Sequence, residues 1–582
     1  MKDAIVSWSR ILRRSYSAVS TDANERTTNN DDCPVNSPQN VALGLFRGNF
    51  RGILAIAFLG LLGIGSGIFI LVAHPYDILF KLKCVFTEGG EVFELWRTPP
   101  IDLYLKVYLY NVTNKDAFLN GTEKLKVQEV GPYVYREALS HENVTFNANG
   151  TVSAIPHHPL VWIPELSEGH QEDDQVIMPH IALLSIGHVV SSASVFTQFG
   201  LNLVIRQTDS QPLMQMSAKD FMFGYDSTLI SLGYRFMPNW IYFDKVGLID
   251  RMYDFEGDFE TVYTGENDIR ETGLLDTYRG SRSLPQWEGD CGNIHNASDG
   301  TKFASYIKPN QRLLFFRKNM CRAQTLVLVN KTTRSGLDGY VYNFEENALD
   351  NGKYRPENKC FCKSDNCMPT GLLDVNGCYY GFPIATSYPH FLDADPSVRD
   401  YVEGSHPDPE KHRSYFIVQP ESGLPIEVAA RFQINMVLGD LNSIAHVEKF
   451  SNMILPLLWT ETTMQRLPES LANRFRLYLN VLPVFQTAMI YFSFIIGTIL
   501  VIVAAYKYIR KIKTFGKVYK SAWSDEFVEE DINRKLSTYS YVPEKRASLS
   551  SKELEIYFSS LITPLNQDIT FEEFQNLKEE NI

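Results

Sequence analysis

Six of the eight cysteines in this 582-residue chain, Cys291, Cys321, Cys360, Cys362, Cys367 and Cys378, crowd into 88 positions, with Cys33 and Cys84 outside. Thiols at that density serve either zinc ligation or disulfide bonding. The last four are separated by one, four and ten residues, which are not zinc-knuckle spacings. No metal is expected on them. In an oxidising compartment the cluster reads as a disulfide framework, although six cysteines allow 15 pairings that spacing does not separate. Cys360 and Cys362, two positions apart, are awkward partners for each other. Six sequons, at Asn111, Asn120, Asn143, Asn149, Asn296 and Asn330, all fall in the central segment and offer glycosylation sites to the same compartment. No zinc-protease or serine-elbow motif is present. Neither a catalytic residue nor a cofactor is expected, and the chain is not read as an enzyme.

The elements that must hold this framework begin with two charge-free stretches, Ile53 to Ala73 and Val484 to Tyr506. At about 1.5 Å per residue each crosses a ~30 Å hydrocarbon layer. The first is too long for a signal-peptide core and starts some fifty residues in, so it reads as an uncleaved signal anchor. Its flanks are balanced, with Arg47 and Arg51 before it and Lys81 and Lys83 after it. The second is followed by Lys507, Arg510, Lys511, Lys513, Lys517 and Lys520 without an acid among them. That cluster places the C-terminus, and with two crossings both termini, in the cytoplasm. The expected domains are a cytoplasmic tail (1–52), a transmembrane helix (53–73), a glycosylated, disulfide-bonded ectodomain (74–483), a second transmembrane helix (484–506) and a cytoplasmic tail (507–582). Gly63 and Gly67 stand at the spacing of helix dimers, which makes a homo-oligomer a candidate.

Between the spans the chain holds 36 bases against 50 acids. A nucleic-acid binder would carry a basic excess, so that partner class is excluded. The β-branched and aromatic runs Leu103 to Thr113, Thr325 to Asn330, Arg413 to Gly423 and Ile426 to Leu438 predict antiparallel strands. Val176 to Ile205, rich in apolar and small residues, predicts one or two buried helices. The N-terminal stretch Ser20 to Asn40 is almost without apolar residues and predicts disorder. In the C-terminal tail, an acidic run from Asp525 to Asp531, a tyrosine-type endocytic pattern at Tyr539 to Val542, serines at Ser537 and Ser548 and a capping box from Thr570 to Glu573 are candidate adaptor contacts.

Six segments in order, "FELWRTPP" (Phe93 to Pro100), "EVGPYVYRE" (Glu129 to Glu137), "YTGENDI" (Tyr263 to Ile269), the cysteine run Cys360 to Cys378, "PHFLDADP" (Pro389 to Pro396) and "HPDPEKHRSYFIVQPESG" (His406 to Gly423), resemble the class B scavenger receptor family. The resemblance reaches the insect-type phagocytic, carotenoid-uptake and sensory neuron membrane proteins, and spans both apolar stretches. It implies an α+β fold, with two transmembrane helices flanking an ectodomain whose antiparallel β-barrel core carries a helical bundle at its membrane-distal tip. It implies pairing of Cys291 with Cys360, Cys321 with Cys378 and Cys362 with Cys367, leaving Cys84 over and open to alkylation. An apolar tunnel is implied too, down which lipid passes to the outer leaflet.

The expected function is therefore a plasma-membrane receptor that binds lipids or lipoprotein-like ligands and passes lipid through its ectodomain. The alternatives are a docking receptor for apoptotic cells or a cargo protein, and an endosomal or lysosomal address. The ligand-binding candidates are Val176 to Ile205 and Arg206. Family members that capture oxidised lipoproteins resemble one another in a lysine cluster here, whereas this chain offers only Arg206 beside Asp209. Glu165, Glu168, Glu172, Asp173 and Asp174 make the region acidic, most simply as a solvated loop. His180 and His188 could sense endosomal pH or simply be satisfied core residues. No cysteine lies in the C-terminal tail and Cys33 is twenty residues before the first stretch, so no palmitoyl anchor is expected on the cytoplasmic side. A two-span channel would need a polar stripe, and Gln486, Thr487, Ser493 and Thr498 are scattered along the second stretch.

Overall fold

The computed structural model describes residues 38–522 apart from 237–240, 242 and 364–366, and at 38–49, 236 and 518–522 it describes backbone alone. Five helices matter for function: α1 (Pro38–Ala73), α2 (Ile181–Ser191), α3 (Val195–Gln207), α4 (Thr228–Phe236) and α5 (Leu482–Ala522). Helices α1 and α5 contain the two charge-free stretches and are long and apolar enough to cross a membrane. Their side chains agree: Phe58, Phe69, Phe485 and Tyr491 are each at least 60% exposed, a density of bare aromatics that fits lipid and not water. Pro38, Gln39 and Asn40, expected in the disordered tail, form the first turn of α1. Cys33, the rest of that tail and the adaptor motifs from Asp525 onward lie outside the described residues.

By contacts, Leu62–Gly497 forms one unit, and Met1–Leu61 with Thr498–Ile582 another. Within the first, the inner turns of α1 and α5 meet. A Cβ at Gly63 would lie 3.2 Å from Gly497 Cα, and one at Gly67 would lie 3.3 Å from Ser493 Cβ. The two glycines thus serve packing within the chain. Gln486 Oε1 accepts the Tyr76 N–H at 2.8 Å, and the Thr487 hydroxyl donates to Pro483 O. These polar residues are satisfied locally.

The core is a large sheet. In chain order its long strands, with those of a smaller second sheet, are β1 (Leu103–Val112), β2 (Leu125–Glu137), β3 (Ser140–Asn147), β4 (Thr151–His157), β5 (Glu260–Tyr263), β6 (Leu275–Tyr278), β7 (Leu313–Arg317), β8 (Arg322–Arg334), β9 (Leu337–Phe344), β10 (Tyr415–Val418), β11 (Pro425–Val437) and β12 (Ile454–Met464). The large sheet runs β7-β8-β9-β10-β11-β12-β1-β2, all antiparallel, and ends on the short parallel strand Val402–Glu403. The smaller sheet runs β6-β5-β4-β3. Strand β1 alternates buried and half-buried positions, as a strand with one covered face must. Every residue of β12 is buried, so this central strand is covered on both faces.

The antiparallel core is present, but the implied barrel does not close through its backbone: among the described residues no ladder joins β7 to β2. Side chains join these terminal strands instead, with Arg317 Nη2 of β7 lying 2.5 Å from Glu137 Oε1 of β2. Three disulfides staple the flank, Cys291–Cys360, Cys321–Cys378 and Cys362–Cys367. The first closes a separation of 69 residues, worth about 4 kcal/mol in the chain-entropy account. Cys84 is free and buried, so alkylation in the folded state is blocked.

Candidate functional site

A cavity of about 510 Å³ opens inside the core, walled by Ile101, Leu103, Leu139, Phe315, Val428 and Met464. Its apolar lining follows from the strand period: β7, β11 and β12 send alternate residues inward. Ligand sites commonly occupy roughly 300–1,000 Å³ and are mostly apolar with a few placed polar groups. Glu137, Arg317 and Asp299 are among the polar groups here, with Asp102, Arg136 and Thr462.

Glu137 collects donors. His158 Nδ1 stands 2.5 Å and Arg317 Nη2 2.5 Å from its Oε1, and Tyr253 donates to its Oε2 at 3.1 Å. Burial alone would raise its pKa, but the Arg317 charge and the His158 contact outweigh it and push the value down to about 2. Glu137 is therefore charged at neutral pH.

A second cluster adjoins the cavity. His141 at the start of β3 directs Nε2 toward Glu260 Oε1 of β5 at 3.0 Å and Asp299 Oδ2 at 3.7 Å. Its Nδ1 lies 2.9 Å from Trp96 O, and the Trp96 ring stacks on the imidazole at 3.9 Å. Burial works against a charged imidazole, yet the contacts to Asp299 and Glu260 push its pKa up to about 9. The sequence singled out none of these residues, because three separate segments supply them. Of the residues around the two clusters, Glu137 and Trp96 lay inside recognised segments.

The predicted ligand region is found as follows. Val176 to Pro179 belongs to a two-stranded ribbon, strand Gln175–Pro179 pairing with Leu213–Ser217, and is not helical. Helix α2 is buried along most of its length. Helix α3 is not: Val195 is 77% exposed, Phe196 89%, Phe199 69% and Leu203 58%. The expectation of one or two buried helices holds for α2 and not for α3, whose apolar residues cover more than the single face that α2 and its neighbours can take. Between α2, α3 and α4 runs a groove of about 310 Å³ lined by Ile186, Val190, Leu201, Val204 and Leu229. Arg206 is exposed at the end of α3.

The acidic stretch is tied down at two places. Tyr133 and Tyr135 donate to Asp174 and Glu172, and Lys219 pairs with Glu172 at 2.9 Å. Glu165, Glu168 and Asp173 remain exposed. His180 caps α2, its Nδ1 accepting the Leu183 N–H at 2.8 Å, and His188 Nδ1 accepts the Gly439 N–H at 2.9 Å. Both are acceptors and hence neutral at that nitrogen. Burial pushes His180 down to about 4 and lowers His188 as well. They are satisfied structural residues.

Of the sequon asparagines, Asn120, Asn143, Asn149 and Asn330 are exposed, whereas Asn111 and Asn296 are half-buried. Asn111 Oδ1 accepts the Ile177 N–H at 2.8 Å.

Comparison with known proteins gives this geometry its relatives. Scavenger receptor class B member 1 of Bos taurus is 30% identical over 414 residues, 71% of this chain and 80% of that protein. Lysosome membrane protein 2 of Homo sapiens is 28% identical over 433 residues, 72% of this chain and 88% of that protein. Protein peste of Drosophila melanogaster is 27% identical over 433 residues, covering 72% and 76%. Residues 54–508 match the CD36 family, across both apolar helices and everything between them, and the chain therefore belongs to that family.

Proposed function

We propose that the protein is a scavenger-type receptor of the plasma membrane, with both termini cytoplasmic, that takes up lipid or lipoprotein-borne lipid at the α3 face and passes it through the core cavity to the bilayer. The cavity carries this reading: about 510 Å³ of largely apolar space inside a sheet, where burying each methylene of a lipid chain is worth about 0.8 kcal/mol. No covalent step is needed, and none is part of the proposal. The exposed aromatics of α3 supply a surface on which an amphiphile first settles.

The test is uptake of labelled fatty acid or sterol by cells displaying the full chain, compared with Val428→Phe, which places a ring in the cavity. Uptake should fall several-fold at equal surface level while particle binding persists. Unchanged uptake by the blocked protein would reject conduction. The second reading, a docking receptor for cells or a cargo protein, is favoured by the same bare face of α3. It predicts that Phe199→Glu abolishes partner binding while Val428→Phe has no effect on any function.

A further inference from the structure

We propose that His141, Glu260 and Asp299 form a binding site for a divalent metal ion of the zinc class, set in the wall of the core. The site is assembled by the fold. Strand β3 supplies His141 and β5 supplies Glu260, with β4 between them in the small sheet, while Asp299 follows Ser298, which bridges to Phe315 of β7. Among the described residues it is the one grouping of three His, Cys, Asp or Glu donors close enough to share an ion, its three ligand atoms lying within 4.8 Å of one another.

The distances match a small ion. Ligand atoms around a tetrahedral zinc with bonds of about 2.0–2.1 Å stand about 3.3–3.4 Å apart. His141 Nε2 is 3.0 Å from Glu260 Oε1 and 3.7 Å from Asp299 Oδ2, spacings on either side of that edge length. The surroundings prepare each ligand. Trp96 O, 2.9 Å from Nδ1, accepts the proton there, the usual second contact of a metal-bound histidine, and fixes the ring so that Nε2 faces the carboxylates and can exchange its proton for the ion. Asp299 Oδ1 accepts both the N–H and the hydroxyl of Thr301, at 2.8 and 2.6 Å, which leaves Oδ2 for the ion.

Two further observations call for a cation. Glu260 is 4% exposed, and its buried Oε1 faces His141 Nε2 at 3.0 Å without a well-aligned hydrogen bond, an arrangement that buried acceptors rarely tolerate. Two carboxylates against a single imidazolium also leave one negative charge in the wall of the core, and a divalent ion that takes the place of the imidazolium proton cancels it. Arg317 cannot do so, being committed to Glu137. Three protein ligands leave a fourth position open, and Asp299, Gly300 and Thr301 also line the cavity, so water and the ion have a route in.

The full-length protein, purified and stripped with chelator, should bind one Zn2+ per chain by equilibrium dialysis and elemental analysis. Its X-ray absorption should show one nitrogen and two carboxylate oxygens from protein, without sulfur. His141→Gln and Asp299→Asn should each weaken binding at least tenfold, while His157→Gln, at an exposed imidazole paired with Glu142 on the neighbouring strands, should leave it unchanged. Absence of bound zinc in the wild type, or a sulfur-bearing shell, would overturn the proposal and leave the cluster as an imidazolium between carboxylates. The absorption measurement uses the wild type alone, so a variant that fails to fold does not shield the idea.

Discussion

Glu137 is a carboxylate that burial by itself would neutralise, and it stays charged because Arg317, His158 and Tyr253 surround it. Removing one member of such a pair strands the other in a low-dielectric interior, which typically costs about 3–5 kcal/mol. Arg317→Met should therefore lower the melting temperature and surface yield sharply. Glu137→Leu combined with Arg317→Met should recover most of the loss, because neither member of the pair is left buried without the other. The pH dependence has a definite sign. The folded-state pKa of Glu137 lies near 2, below its ordinary 4.5. Its contribution is present above pH 4.5 and is lost as pH falls toward 2. Thermal melts of wild type and the double variant across that window measure it, and parallel profiles would refute the assignment. At this scale the sequence was only partly legible. Glu137 stands in a recognisable segment, but Arg317, His141 and Asp299 are ordinary residues until folding brings them together. The sequons read the other way, since six triplets are visible and burial separates them. Glycopeptide mass spectrometry should find glycans on Asn120, Asn143, Asn149 and Asn330, and none on the half-buried Asn111 and Asn296.

Helices α2 and α3 came from one apolar run in which the sequence showed no difference between them. Packing makes the difference: α2 lies against the core through Ile181, Leu183, Leu184 and Ile186, while α3 keeps Phe196 and Phe199 bare. A run that is apolar all round says that a helix needs apolar surroundings, but not whether protein or ligand provides them. His180 illustrates a second limit, because its role as a helix cap depends on where α2 begins. Burial holds its folded pKa near 4 against an ordinary 6.5, and the Tyr225 ring packs edge-on against it. Between pH 6.5 and 4 the unfolded chain therefore binds a proton that the folded chain does not. Stability should decline as pH falls through that range, and His180→Asn, which keeps a capping acceptor without the titration, should flatten the decline. An unchanged slope of melting temperature against pH in His180→Asn would show that other groups set it.

For the molecule as a whole, the two apolar helices and the antiparallel core were legible, since each rests on a local period or a charge-free length. The way the core closes and the way the helices meet were not, since both depend on contacts between distant residues. The Gly63 and Gly67 pair was read as a possible dimer face, and the structure spends it inside one chain, against Ser493, Phe494 and Gly497. The two uses give opposite results in one experiment. A Cβ at Gly67 would stand 3.3 Å from Ser493 Cβ, just under the roughly 3.5–4.5 Å usual between disulfide-bonded residues. Gly67→Cys with Ser493→Cys in the full-length protein should therefore oxidise within one chain. Cleavage at an engineered site after Cys378 and before α5, outside the loops closed by the native disulfides, should then leave the two halves joined without reductant and separate with it. Gly67→Cys alone should stay monomeric on non-reducing gels. Efficient cross-linked dimers of that single variant would instead put the glycine face between two copies and refute the intrachain contact.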